Sequence, residues 1–146
     1  MPVKWEGDEE DDESGLNTFS VTLSKGLKHS TTITAVWEGD DSCLSSTGSI
    51  EVKVKAKVAS KARTLPGHRV RLMAALQPSD AGGRIAFKRK VRGGAWRRIE
   101  VVPAGKSGKA VCIFKGKPGK TTFVAEFRGS RRNAKAVSRS VTVVLR

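Results

Sequence analysis

The chain has 146 residues and a formal net charge of +14, from 28 Lys and Arg against 14 Asp and Glu. Apolar residues make up 38%, aromatics 5%, and Tyr is absent. The length excludes large enzyme folds such as a barrel of about 250 residues, and the composition excludes collagen-like and broadly disordered chains.

Residues 1–18 read as an acidic, flexible lead-in. Seven of the 14 acids lie in Glu6–Glu13, with too few apolar residues to build a core. The run lacks the alternating ligands, central Gly and closing Glu of a calcium loop. It reads as a solvated linker, or as a tail contacting the basic remainder of the chain. The order acidic-first is the reverse of a signal peptide, and the longest apolar run, Leu72–Leu76, is far short of the ~20 residues of a membrane-spanning helix.

Beyond the lead-in, short alternating runs are punctuated by Gly, Pro and Ser, and helical spacing is nowhere sustained. That pattern predicts an all-β chain. Phe19–Leu23 alternates and stops at Lys25-Gly26. Thr31–Glu38 places Ile33, Ala35 and Trp37 on one face, so Trp37 is expected in a core. Ser49–Lys57 sets Ile50, Val52, Val54 and Ala56 against Glu51, Lys53, Lys55 and Lys57. Arg69–Leu76 turns Val70, Leu72, Ala74 and Leu76 inward and Arg69 and Arg71 outward. Arg84–Lys90 buries Ile85 and Phe87, with Arg84 and Lys88 outward. Gly93-Gly94 turns the chain into Trp96–Val102. Lys109–Phe114 follows, then Thr121–Arg128 with Phe123, Ala125 and Phe127 inward. Val137–Leu145 closes the chain with Val137, Val141, Val143 and Leu145 inward.

An internal repetition organises these runs. Shifted by 90 positions, Val21–Gly39 falls on Val111–Gly129, with identities at Lys25/Lys115, Gly26/Gly116, Thr31/Thr121, Thr32/Thr122, Ala35/Ala125 and Gly39/Gly129. One further residue brings Ile50, Val52 and Val54 onto Val141, Val143 and Leu145. Residues 59–146 thus hold a complete set of strands for a two-sheet sandwich, and residues 19–58 only the last strands of one. A few strands cannot cover their own apolar face. Either the chain is a piece of a longer array, or strand exchange with a partner chain completes the partial unit.

The charge follows the same division. Residues 1–60 carry 6 basic and 11 acidic side chains, and residues 61–146 carry 22 and 3, giving −5 and +19. Such a field favours nucleic acid, acidic wall polymers or an acidic membrane surface. The candidate polyanion contacts are Lys88, Arg89, Lys90 and Arg92, then Arg97 and Arg98 beside Trp96, and Arg131, Arg132 and Lys135. These strands belong to both sheets, so the charge is expected to surround the domain. Trp96 reads as a core residue or as a half-exposed interface anchor. With Tyr absent and Phe turned inward, sequence-specific reading of nucleic acid is not expected.

No catalytic constellation appears. His29 and His68 share no metal spacing with Cys43 or Cys112, and phosphate loops, nucleophile elbows and zinc-protease motifs are missing. The expectation is a non-enzymatic chain without cofactor or metal. The two cysteines read as buried thiols, with one bridge as the alternative.

The stretch TTITAVWEGDDSCLSST, Thr31–Thr47, resembles the closing strands of bacterial immunoglobulin-like repeat domains. TTFVAEFRGSRRNAKAVSRSVTVVL, Thr121–Leu145, carries the same ending. GGRIAFKRKVRGGAWRRIEVV, Gly82–Val102, resembles repeats from secreted proteins of high-GC Gram-positive bacteria. Two departures stand out: His29 lies two residues upstream of the usual His, and Ser130 replaces the Asp that Asp40 supplies in the first copy. The resemblance implies an immunoglobulin-like β-sandwich, one complete repeat preceded by a partial one. It further implies a spacer, adhesive or display module of a larger secreted, cell-surface or virion protein, working through a protein partner or acidic wall polymer. The alternative is a basic protein holding nucleic acid through nonspecific phosphate contacts, in which case a cytoplasmic setting applies.

Overall fold

A computed structural model describes residues 20–146; Phe19 and the acidic lead-in lie outside the described residues. Those described are all-β. Ten strands follow in order: β1 (Thr31–Trp37), β2 (Ser46–Val52), β3 (Lys57–Leu65), β4 (Arg69–Gln77), β5 (Arg84–Lys90), β6 (Trp96–Pro103), β7 (Lys109–Lys115), β8 (Gly119–Phe127), β9 (Ala136–Val137) and β10 (Val141–Leu145). β1 and β2 form an antiparallel hairpin. β3–β4–β7 form one sheet, and β10–β8–β5–β6, with β9 also on β8, form the other.

The last two sheets make a β-sandwich whose interior is written in the alternation. On β4, Val70, Leu72, Ala74 and Leu76 are buried, and Arg69 and Arg71 are exposed. Ile85 and Phe87 of β5 meet Phe123, Ala125 and Phe127 of β8 in one core. Phe114 and Phe123 pack edge to face, with centroids 5.8 Å apart. Burying each such large side chain contributes about 1.5–3 kcal/mol.

Several expectations require correction. β3 is a strand that the pattern concealed, because Ala59, Ser60 and Ala62 give too little contrast between its faces. The run expected over Ser49–Lys57 ends as a hairpin strand at Val52; Lys55 then forms an isolated parallel bridge with Ala134. Ser20–Leu23 forms no strand. The closing run divides into β9 and β10, and Val137 points outward because it pairs with Glu126 on the outer face of β8. Trp37 is 52% exposed rather than buried, since among the described residues no second layer covers the apolar side of the hairpin. Cys112 is buried but Cys43 is exposed.

The hairpin repeats the register of the sandwich. β1 and β2 pair Thr31 with Val52, Thr32 with Glu51 and Ile33 with Ile50. β8 and β10 pair Thr121 with Val143, Thr122 with Thr142 and Phe123 with Val141. Offsets of 90 on the first strand and 91 on the second convert one set into the other.

The turn after each first strand repeats as well. Gly39 and Gly129 both adopt left-handed backbone, at φ 86° and 89°, a conformation open to Gly at little cost. The Asp40 N–H donates to the Cys43 carbonyl at 2.9 Å, and the Ser130 N–H to the Asn133 carbonyl at 2.9 Å. Asp40 Oδ1 accepts the Ser42 and Cys43 N–H groups at 2.8 Å each. Ser130 Oγ accepts the matching Arg132 and Asn133 N–H groups at 3.1 and 3.2 Å. The Asp-to-Ser departure therefore keeps the turn.

Candidate polyanion interface

The predicted cations do not converge on one surface. β5 separates them: Lys90, Arg92 and Arg97 lie at one end, and the Arg128–Lys135 loop lies beyond the Arg84 end. Seven extended residues span about 20 Å. Several are already engaged. Lys88 pairs with Glu126 across β5 and β8. Arg89 turns inward, its guanidinium 5.3 Å from the Phe114 ring centroid. Arg132 Nη1 donates to the carboxylate and carbonyl of Asp80, both at 3.2 Å. Lys90 stands opposite Trp96, and Lys88 opposite Arg98. Trp96 is part-exposed on β6.

Arg131 and Lys135 line a cleft of about 570 Å³ between hairpin and sandwich, together with Lys53 and Arg128. Glu51, on the same wall, is 3.9 Å from Lys53 and offsets part of that charge.

Sequence reasoning missed the densest cationic surface. Register places Lys57, Lys61 and Arg63 of β3, Arg69 and Arg71 of β4, and Lys109 and Lys115 of β7 on the outer face of one sheet. All seven are exposed, and none of these strands contains a carboxylate. Arg63 lies directly opposite Arg71, and Arg69 opposite Lys115. Like charges so placed repel and cost stability. The other sheet's outer face carries cations too, but Glu126 sits among them. Charge thus covers both faces unequally. Exposed Arg63 and Lys61 were hidden from sequence reasoning with the rest of β3; only pairing β3 with β4 brings them beside Arg71.

A hydrogen-bonded joint fixes the hairpin against the sandwich. At its centre is Asn133, 1% exposed. Its Nδ2 donates to the carbonyls of Lys28 at 2.8 Å and Val54 at 3.3 Å, which directs Oδ1 to Nδ1 of His29 at 3.0 Å. His29 Nε2 reaches the Asp80 carboxylate at 3.2 Å. Both ring nitrogens thus lie within reach of side-chain oxygens, one of Asn133 and one of Asp80. Main-chain bonds complete the joint: Ser30 N–H to the Arg132 carbonyl at 2.6 Å and Ala134 N–H to the Val54 carbonyl at 2.9 Å.

Burial pushes the Cys112 thiol up to about 12, reinforced by a hydrogen bond and charge from Glu100. That thiol is held neutral and unreactive. Among the described residues, no three His, Cys, Asp or Glu side chains gather as a metal site, and no helix is long and apolar enough to cross a membrane. No protein-family model matches the chain, and no curated protein matches it.

Proposed function

We propose that the chain is a non-enzymatic structural and binding module, an immunoglobulin-like sandwich preceded by a partial unit of the same kind. It serves as a spacer or display element of a larger surface, secreted or virion protein. One observation carries this reading: hairpin and sandwich share strand register and turn chemistry, and the buried Asn133 amide joins them. A side chain satisfied by the neighbouring unit fits a joint that sets spacing and orientation. The basic surface then contacts an acidic partner.

Two measurements test it. Amide relaxation should give one rotational correlation time for β1–β2 and β3–β10; independent tumbling would refute the rigid spacer. Immobilised heparin should retain the chain at low salt and release it steeply as salt rises, because counterions are displaced on binding. Passage straight through at low salt removes the acidic partner.

Nucleic acid is the second reading. Trp96 favours it, as an exposed ring beside Lys90 and Arg98 on which a base can stack. Trp96→Ala should then weaken binding to single-stranded DNA and leave heparin retention unchanged.

A further inference from the structure

We infer that the outer face of β3–β4–β7 docks onto an anionic lipid surface. The inference rests on the acidic-partner reading above and names that partner. Charge is the first support. Seven exposed cations occupy this face without a carboxylate on its strands. Each basic side chain near an anionic bilayer raises the affinity roughly fivefold.

Shape is the second. The cations stand on a sheet, not in a groove. Strand spacing sets β3 and β7 about 10 Å apart, and nine-residue β4 runs about 27 Å between them. A broad face of that size meets a plane over its whole area, and a narrow polymer over only part of it.

The apolar side chains decide between polyanions. Met73 of central β4 adjoins Val111 and Ile113, midway along edge strand β7, Val111 41% and Ile113 58% exposed. Lys109 and Lys115 bracket them on β7, and Arg71 lies opposite Ile113. The backbone of a phosphate polymer presents charge to those side chains and no continuous apolar layer. A bilayer has an apolar layer beneath its charged headgroups, and there Val111 and Ile113 add binding while Lys and Arg stay at headgroup level. No aromatic stands on these three outer rows, so single-stranded bases find no stacking surface.

The test is co-sedimentation of the full chain with phosphatidylcholine vesicles, with and without a minor fraction of phosphatidylglycerol. The expected result is low-salt binding only to the anionic vesicles. The double substitution Arg63→Ser/Arg71→Ser should weaken it about 25-fold, the product of two such factors. Ile113→Ser should weaken it at unchanged charge and leave heparin retention unaltered, which a purely electrostatic contact cannot do. Thermal unfolding checks the variants; if the Arg pair disturbs the fold, Lys61→Ser/Lys109→Ser replaces it. Retention by heparin or duplex DNA without vesicle binding overturns the lipid surface and leaves the acidic-partner reading standing. Vesicle binding insensitive to these variants overturns the assignment to this face. Failure on vesicles, heparin and DNA alike removes both.

Discussion

His29 and Asn133, 104 positions apart, meet at 3.0 Å through Nδ1 and Oδ1. The contact joins a loop of the hairpin unit to the turn after β8. The Asn133 amide orientation is imposed by the two carbonyls that its Nδ2 serves, so the joint is specified on both sides.

Asn133→Ala should open that joint. The Lys28 carbonyl and the His29 ring lose their Asn133 partner, while the Val54 carbonyl keeps the Ala134 N–H. Leaving such groups unsatisfied costs about 1–3 kcal/mol each where water cannot reach them. Hydrogen exchange should quicken in Thr31–Val52 and stay slow in β4, β5 and β8. Uniform protection would show that the amide does not hold the hairpin.

The two copies of the turn should respond differently to exchange of their acceptors. Asp40→Ser keeps an acceptor for Ser42 and Cys43 and should cost less than about 1 kcal/mol. Ser130→Asp should cost more, roughly 1–3 kcal/mol. Ser130 Oγ also donates to the Ala81 carbonyl at 2.6 Å, and a carboxylate would present like charge there. Urea unfolding of the two variants compares them directly.

Trp37 and Phe127 hold corresponding positions in β1 and β8, yet their surroundings differ. Phe127 is fully buried under the opposing sheet, and Trp37 is half exposed. Phe127→Ala should destabilise by about 3–5 kcal/mol, and Trp37→Ala by within about 0.5 kcal/mol, as at an open surface. Equal losses in denaturant titrations would mean that Trp37 is covered in solution.

The thiols should separate cleanly. In native buffer a maleimide should label Cys43 at once and Cys112 only on unfolding. Cys112 also makes stability depend on pH. Its folded value, about 12, exceeds the ordinary thiol value of 9.0, so between the two the native state holds a proton that the unfolded chain has lost. The contribution is complete below pH 9.0 and declines as pH rises through that window, by about 1.4 kcal/mol per unit. Cys112→Ala should flatten that slope, and an unchanged slope would place its cause elsewhere.

Much of the fold was legible because β4, β5 and β8 alternate large apolar with charged residues, and nothing else in the chain competes with that signal. β3 was not, since Ala and Ser blur its two faces. Trp37 shows the limit of alternation: it reveals which side chains share a face, not whether a second layer covers it. The candidate surface was least legible. Lys88, Arg89 and Lys90 are neighbours in sequence, yet Arg89 turns inward between two that do not. Lys61, Arg71 and Lys109 are far apart in sequence and join only through register. Ser130 looked like a departure, but the turn needs an acceptor oxygen, which Ser and Asp both supply.

β8 is flanked by β10 and β9 on one side and β5 on the other, whereas β1 has β2 as its one neighbour among the described residues. Among the described residues, the far edge of β1 therefore carries a row of unpaired backbone donors and acceptors, beside an apolar side that includes Ile33 and Trp37. Such an edge templates further strands. Crowding the chain should favour self-association through β1, so solubility should be governed by this one short strand more than by the net charge of the whole.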